Sequence, residues 1–136
     1  MIDHLTLTVS DAQRSRSFYE KVLAPLGYSL LMSFEQYWGF GEGKKPTLWI
    51  KPGVAHAPMH LAFAARSRAA VDAFYAAALR LGAKDNGAPG LRADYHPNYY
   101  GAFVFDPDGH PIEAVCHAPL PAKKKTTKKK VAKRGR

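Results

Sequence analysis

Polar and apolar residues alternate at the start of the chain. Leu5, Leu7 and Val9 are separated by Thr6 and Thr8, which is strand period. A helical pattern follows, with Phe18, Val22 and Leu26 at i, i+4 and i+8. Ser10 or Asp11 is placed to cap that helix, and Pro25 and Gly27 close it, Pro25 within a distorted last turn. The pattern then repeats at an offset of 56 residues. HLTLTVSDAQRSRSFYEKVL, starting at His4, aligns with HLAFAARSRAAVDAFYAAAL, starting at His60. His4 falls on His60, Leu5 on Leu61, Phe18 on Phe74, Tyr19 on Tyr75 and Leu23 on Leu79. In the second copy Ser67 is the cap, Val71, Phe74, Ala78 and Leu81 form the apolar stripe, and Gly82 ends the helix.

Three strands are predicted after each helix: 28–33, 36–41 and 46–51 in the first copy, and 92–95, 100–105 and 111–116 in the second. Asp106-Pro107-Asp108-Gly109 reads as a tight turn between the last two. The unit is therefore βαβββ, used twice. The fold class is α+β, with module one at about 1–53 and module two at about 57–117. Residues 84–99 are the irregular part, rich in Gly, Pro and polar aromatics, where functional groups tend to gather.

Strand alternation also sorts the chemistry-bearing side chains. The large apolar residues should face the helices. His4 then faces away from them beside Thr6 and Thr8, and His60 beside Ala62 and Ala64. On the last strand Ile112 and Ala114 share one face, and Glu113, Val115 and His117 the other. A carboxylate in an apolar strand is costly to bury unless it is paired or bound to a metal. Two imidazoles and a carboxylate form a facial triad with open coordination positions, suited to one divalent ion: Fe, Mn, Zn, Ni or Co. Taken singly, such residues are more often surface or edge groups than ligands.

Charge divides the chain. The net charge is +9, yet residues 118–136 hold nine Lys/Arg and no acid, leaving eleven basic and eleven acidic residues in 1–117. The globular part is formally neutral, which excludes a uniformly basic nucleic-acid-binding domain. The tail, PAKKKTTKKKVAKRGR, lacks the apolar content to fold and is expected to be disordered. Weak, salt-sensitive, nonspecific contact with nucleic acid through it is one expectation, and a solvated tail without a partner is the other. The single cysteine, Cys116, fits a reducing cytoplasm, and its strand position makes it a structural thiol. No apolar run is long enough to cross a bilayer, so no membrane partner is expected.

IDHLTLTVSD with SFYEKVLAPLGY at the start, HLAFAA in the middle and YYGAFVFDPDGHPIEAV at the end resemble the glyoxalase / bleomycin-resistance / extradiol-dioxygenase group, the vicinal oxygen chelate superfamily. The resemblance covers residues 1–117, and DPDG-x-x-IE is its most specific element. It implies paired βαβββ modules around a cupped mixed sheet, a small-molecule substrate, and metal ligands at His4, His60 and Glu113. It also implies a homodimer in which modules of different chains share each metal site.

One departure matters. Glyoxalase I enzymes have a fourth ligand, a Glu, in the last strand of the first module. Here that strand reads PTLWIKP, and aligning Pro46 with Pro111 sets Leu48 opposite Glu113. The proton-transfer chemistry of glyoxalase I is therefore not expected. A three-ligand site resembles fosfomycin thiol transferases and extradiol dioxygenases instead.

Around the pocket, RADYHPNYY supplies His96, Tyr99 and Tyr100 as candidate catalytic groups and Arg92 as a clamp for an anionic substrate. Tyr37, Trp38 and Trp49 are candidate walls, with Tyr37 and Trp49 taken as substrate-binding. His117 is a candidate support for a ligand. His56 and His110 lie beside turns and are expected to be exposed. The leading reading is a metal-dependent enzyme acting on a small oxygen-bearing substrate. The alternative is a metal-free small-molecule-binding protein of the resistance type, using the same cup.

Overall fold

The structure, a computed structural model, describes residues 1–54 and 56–120. The first module comprises β1 (Leu5–Val9), α1 (Ala12–Leu23), a 3-10 turn (Ala24–Leu26), β2 (Ser29–Phe34), β3 (Tyr37–Gly41) and β4 (Leu48–Pro52). The second comprises β5 (Leu61–Ala64), α2 (Arg68–Arg80), β6 (Asp85–Leu91), β7 (Tyr100–Phe105) and β8 (Pro111–Cys116). Both βαβββ units are thus present. The expected disordered tail, 118–136, lies outside the described residues except for 118–120. Among the described residues no helix is long and apolar enough to cross a membrane.

Each module builds its own four-stranded mixed sheet, in the orders β1-β4-β3-β2 and β5-β8-β7-β6. In both, the first strand pairs in parallel with the last: Leu5 opposite Leu48 in one, Leu61 opposite Ile112 in the other. Each helix covers one face of its own sheet, and α1 touches α2. A single apolar cluster therefore runs through both modules, including Leu7, Val9, Phe18, Val22, Ile50, Phe63, Val71, Phe74 and Ile112. Cys116 is buried within it.

Local chemistry fixes the helix ends. The Asp11 side chain accepts from the Arg14 N–H, and the Ser67 hydroxyl accepts from the Ala70 N–H. These bonds satisfy first-turn donors that have no partner within the helix. Pro25 sits inside the 3-10 turn, and Gly27 closes it at φ 88, a conformation that favours glycine. Replacing Ser67 by Ala should cost about 1 kcal/mol, read as a lowered urea midpoint with an unchanged slope.

Five expectations need correction. The strand before β7 is β6 at Asp85–Leu91, and residues 92–95 do not form one. Its sequence, DNGAPGL, reads as turns. Pairing to β7 overrides that preference, with register shifts between Asp85, Gly87 and Gly90 absorbing the misfit. Leu81 is not in the core stripe: as the C-cap of α2 it turns outward, 37% exposed. Trp38 is not a wall of the cup but a core residue, with the Arg16 guanidinium over its ring. His110 is buried rather than exposed, because its Nδ1 accepts from the Met59 N–H. The structural counterpart of Glu113 in the first module is Trp49, not Leu48. Thr6 faces Trp49 as Ala62 faces Glu113, while Leu48 corresponds to Ile112 and is buried. Proline alignment misses this by one residue, which on a strand reverses the face.

Polar bonds also join the modules. Buried Tyr19 of α1 donates to the Asp106 carboxylate at 2.6 Å. The Ser10 N–H and hydroxyl both donate to Asp108. The turn between β7 and β8, closed by Gly109 N–H to Asp106 C=O at 3.0 Å, thus grips the first module. Burial, and then the Asp106 carboxylate, push the Tyr19 hydroxyl well above the ordinary 10.0. The folded chain holds that proton more tightly than the unfolded one. The stabilisation is complete below the ordinary value and is lost as pH rises through the raised one. Unfolding midpoints should therefore fall above that ordinary value, and Tyr19→Phe should flatten part of the fall in a denaturation series.

Candidate metal-binding face

The outer face of the second sheet, turned away from α2, gathers the most reactive set. His60 enters just before β5 and Glu113 sits in mid-β8. Because Ala62 is the parallel partner of Glu113, the His60 imidazole reaches along the strand to the carboxylate: Nε2 lies 2.7 Å from Oε2. The Tyr99 hydroxyl, arriving just before β7, donates to Oε1 of the same carboxylate. Phe103, directly across the ladder from Glu113, sets its ring edge-to-face against His60 at 6.3 Å. Glu113 ends 3% exposed while His60 is half exposed, so the pair has one buried and one open end.

Tyr99 has its pKa raised to about 12, first by loss of solvent and then by its bond to Glu113. Near neutral pH it is therefore a proton donor rather than a phenolate. His117, exposed at the end of β8, packs edge-on against Tyr99 at 5.1 Å, and His96 lies 5.7 Å from His117. The Arg92 guanidinium lies over the Phe103 ring at 5.4 Å and donates to the Ala88 carbonyl.

The other candidates lie elsewhere. Tyr100 differs from expectation: strand alternation turns it to the opposite face from Glu113, and its hydroxyl donates to Asp72 of α2 at 2.7 Å. It ties a helix to its sheet. His4 stands on the first sheet, half exposed, with Nδ1 2.7 Å from Asp3. Trp49 and Tyr37 belong to that sheet's outer face as well. The Trp49 indole lies across Gly39, where an added Cβ would come within 3.0 Å of it. Among the described residues no three His, Cys, Asp or Glu side chains converge. One chain offers two of the three expected ligands on one face and the third on another.

Phe103 has no motif in the sequence; its place across the ladder from Glu113 comes from the β7–β8 register. The bond from Tyr19 to Asp106 left no sequence signal beyond the DPDG turn itself.

The model of the Glyoxalase/Bleomycin resistance protein/Dioxygenase superfamily matches residues 1–114. Among solved structures, a glyoxalase/bleomycin resistance protein from Albidiferax ferrireducens T118 is similar at 27% identity and a TM-score of 0.73, covering 86% of this chain and 98% of that one. The fosfomycin resistance protein FosX from Mesorhizobium loti is similar at 21% identity and a TM-score of 0.65, covering 88% and 93%. FosX from Listeria monocytogenes is similar at 20% identity and a TM-score of 0.66, covering 88% and 94%. The two FosX likenesses bear on fold alone. No curated protein matches the chain. With the family model spanning both βαβββ modules, the chain belongs to the glyoxalase/bleomycin resistance protein/dioxygenase superfamily.

Proposed function

We propose that the protein is a divalent-metal-dependent enzyme acting on a small oxygen-bearing substrate, each metal site using His60 and Glu113 of one chain and His4 of a second copy. Glu113 carries the reading. It is a buried carboxylate in an apolar strand, and its side-chain partners are an imidazole and a phenol. No Lys or Arg pairs with it among the described residues. Burying such a group without a cation is costly, and imidazole nitrogen with carboxylate oxygen is a donor set that suits Fe, Mn, Zn, Ni or Co.

The donor chemistry fits a metal, but one chain is short of a ligand. His4 occupies in its module the place that His60 occupies in the second, immediately before the first strand. A homodimer apposing the first-module face of one copy to the second-module face of the other would supply it. Once bound there, the ion would polarise a substrate oxygen and stabilise negative charge on it. The chain's own groups would do the rest. Tyr99 would donate a hydrogen bond or proton at the reacting oxygen, with His96 and His117 behind it. Arg92 would hold an anionic substituent, and Trp49 and Tyr37 would close the cavity from the apposed module. Trp49, standing where glyoxalase I has its fourth ligand, offers no base for that enzyme's proton transfer.

Protein purified without a chelating column should hold about one divalent ion per chain, measured by elemental analysis. Absence of metal, with none taken up after dialysis against Mn, Fe, Ni, Co or Zn salts, would overturn the reading.

A second reading has one observation in its favour. Both Glu113 oxygens already have donors, His60 and Tyr99, so the carboxylate is satisfied without an ion. A metal-free binding protein would keep its ligand affinity unchanged after chelator treatment.

A further inference from the structure

Between α1 and the turn after α2 lies a cleft of about 290 Å³, away from the residues of the metal face. Phe18, Leu81 and Phe105 give it apolar walls, and Arg14 and Lys84 border it. The acids nearby are already engaged. Asp106, 5% exposed, accepts from the Tyr19 hydroxyl and from the Asp108 and His110 N–H groups. Asp11 accepts the N-cap bond of α1, and Asp85 accepts from the Tyr75 hydroxyl and the Gly87 N–H. Carbonyls of the last turn of α2 are taken by the N–H groups of Leu81, Gly82 and Ala83. Neither Arg14 nor Lys84 has an acidic side-chain partner within ion-pair distance among the described residues.

We propose that this cleft is a second ligand site, taking a small carboxylate with a flat apolar body. The Lys84 ammonium lies over the Phe105 ring at 5.8 Å, so charge and aromatic surface meet at one edge. Leu81 leaves apolar surface open beside it, being 37% exposed. Arg14 approaches from α1 with a planar fork suited to gripping both oxygens of a carboxylate. The volume admits a single-ring acid and is at the lower end for organic ligands.

The test is a titration of the full chain with sodium benzoate, followed by amide NMR, with benzamide as the uncharged analogue. Benzoate at millimolar concentration should shift the amides of Arg14, Gly82, Ala83 and Phe105 in a saturable way. Benzamide should bind about tenfold more weakly, as should benzoate to the Arg14→Gln/Lys84→Gln variant. Both substituted side chains are exposed, so the variant's melting curve should match the parent's. Failure to saturate, equal binding of benzamide, or shifts confined to the neighbours of His60 and Glu113 would each overturn the proposal. The benzamide comparison needs no variant and decides the charge requirement on its own.

Discussion

Replacing Asp106 by Ala is expected to lower the stability of the fold by about 3–5 kcal/mol, since it strands two buried donors and one part-buried donor at once. The Asp106 side chain accepts from Tyr19 at 2.6 Å, from the Asp108 N–H at 3.0 Å and from the His110 N–H at 2.8 Å. Alanine would leave the buried phenol, the buried His110 N–H and the part-buried Asp108 N–H without their acceptor. Two structural roles would fail together: the turn that launches β8, and the grip of that turn on α1. Asp106→Asn keeps one carbonyl oxygen and should lose less, and Tyr19→Phe removes only one bond and should lose about 1–2 kcal/mol. Urea denaturation of the three variants should rank them in that order. A near-neutral Asp106→Ala would mean that the Tyr19–Asp106 bond adds little to the hold between the two modules.

Repetition made much of the architecture legible. Leu5 and Leu61, and Phe18 and Phe74, recur in one register because both modules solve the same packing problem, one helix on one sheet; Leu79, aligned with buried Leu23, is instead exposed. The caps were legible for a local reason: Asp11 and Ser67 act on donors three residues away. The same holds for the DPDG turn, whose Gly109 has φ 85. Alternation put His60 and Glu113 on one face, and the structure has their side chains in contact.

What stayed hidden depends on pairing. β6 is a strand because β7 offers it a ladder, not because DNGAPGL prefers one. Trp49 and Leu48 exchange roles on a one-residue shift that only the parallel register to β1 fixes. Tyr100 adjoins Tyr99 in sequence, yet neighbouring strand residues point to opposite faces. His110 is buried by a bond from Met59, 51 positions earlier. Asp106 looked like an ordinary turn residue, and its importance comes from Tyr19, 87 positions away. Short-range chemistry is readable, whereas long-range partners other than His60 and Glu113 are not.

Loss of tight metal binding is the other large expected effect, and its pattern across variants is distinctive. His4→Ala and Glu113→Ala should each abolish stoichiometric binding, although the two residues lie on different sheets of one chain. A ligand removed from a site with only three protein donors leaves too few to hold the ion against exchange with solvent. If each site takes His4 from one copy and His60 with Glu113 from the other, the two defects are complementary. A mixed dimer of the two variants has one site carrying both substitutions and one site carrying neither. The decisive measurement is therefore metal content after the His4→Ala and Glu113→Ala variants are unfolded together, refolded as a mixture and dialysed against the metal. Random pairing should restore binding to about a quarter of the sites, while each variant refolded alone stays empty. A mixture as empty as its components would contradict the shared site.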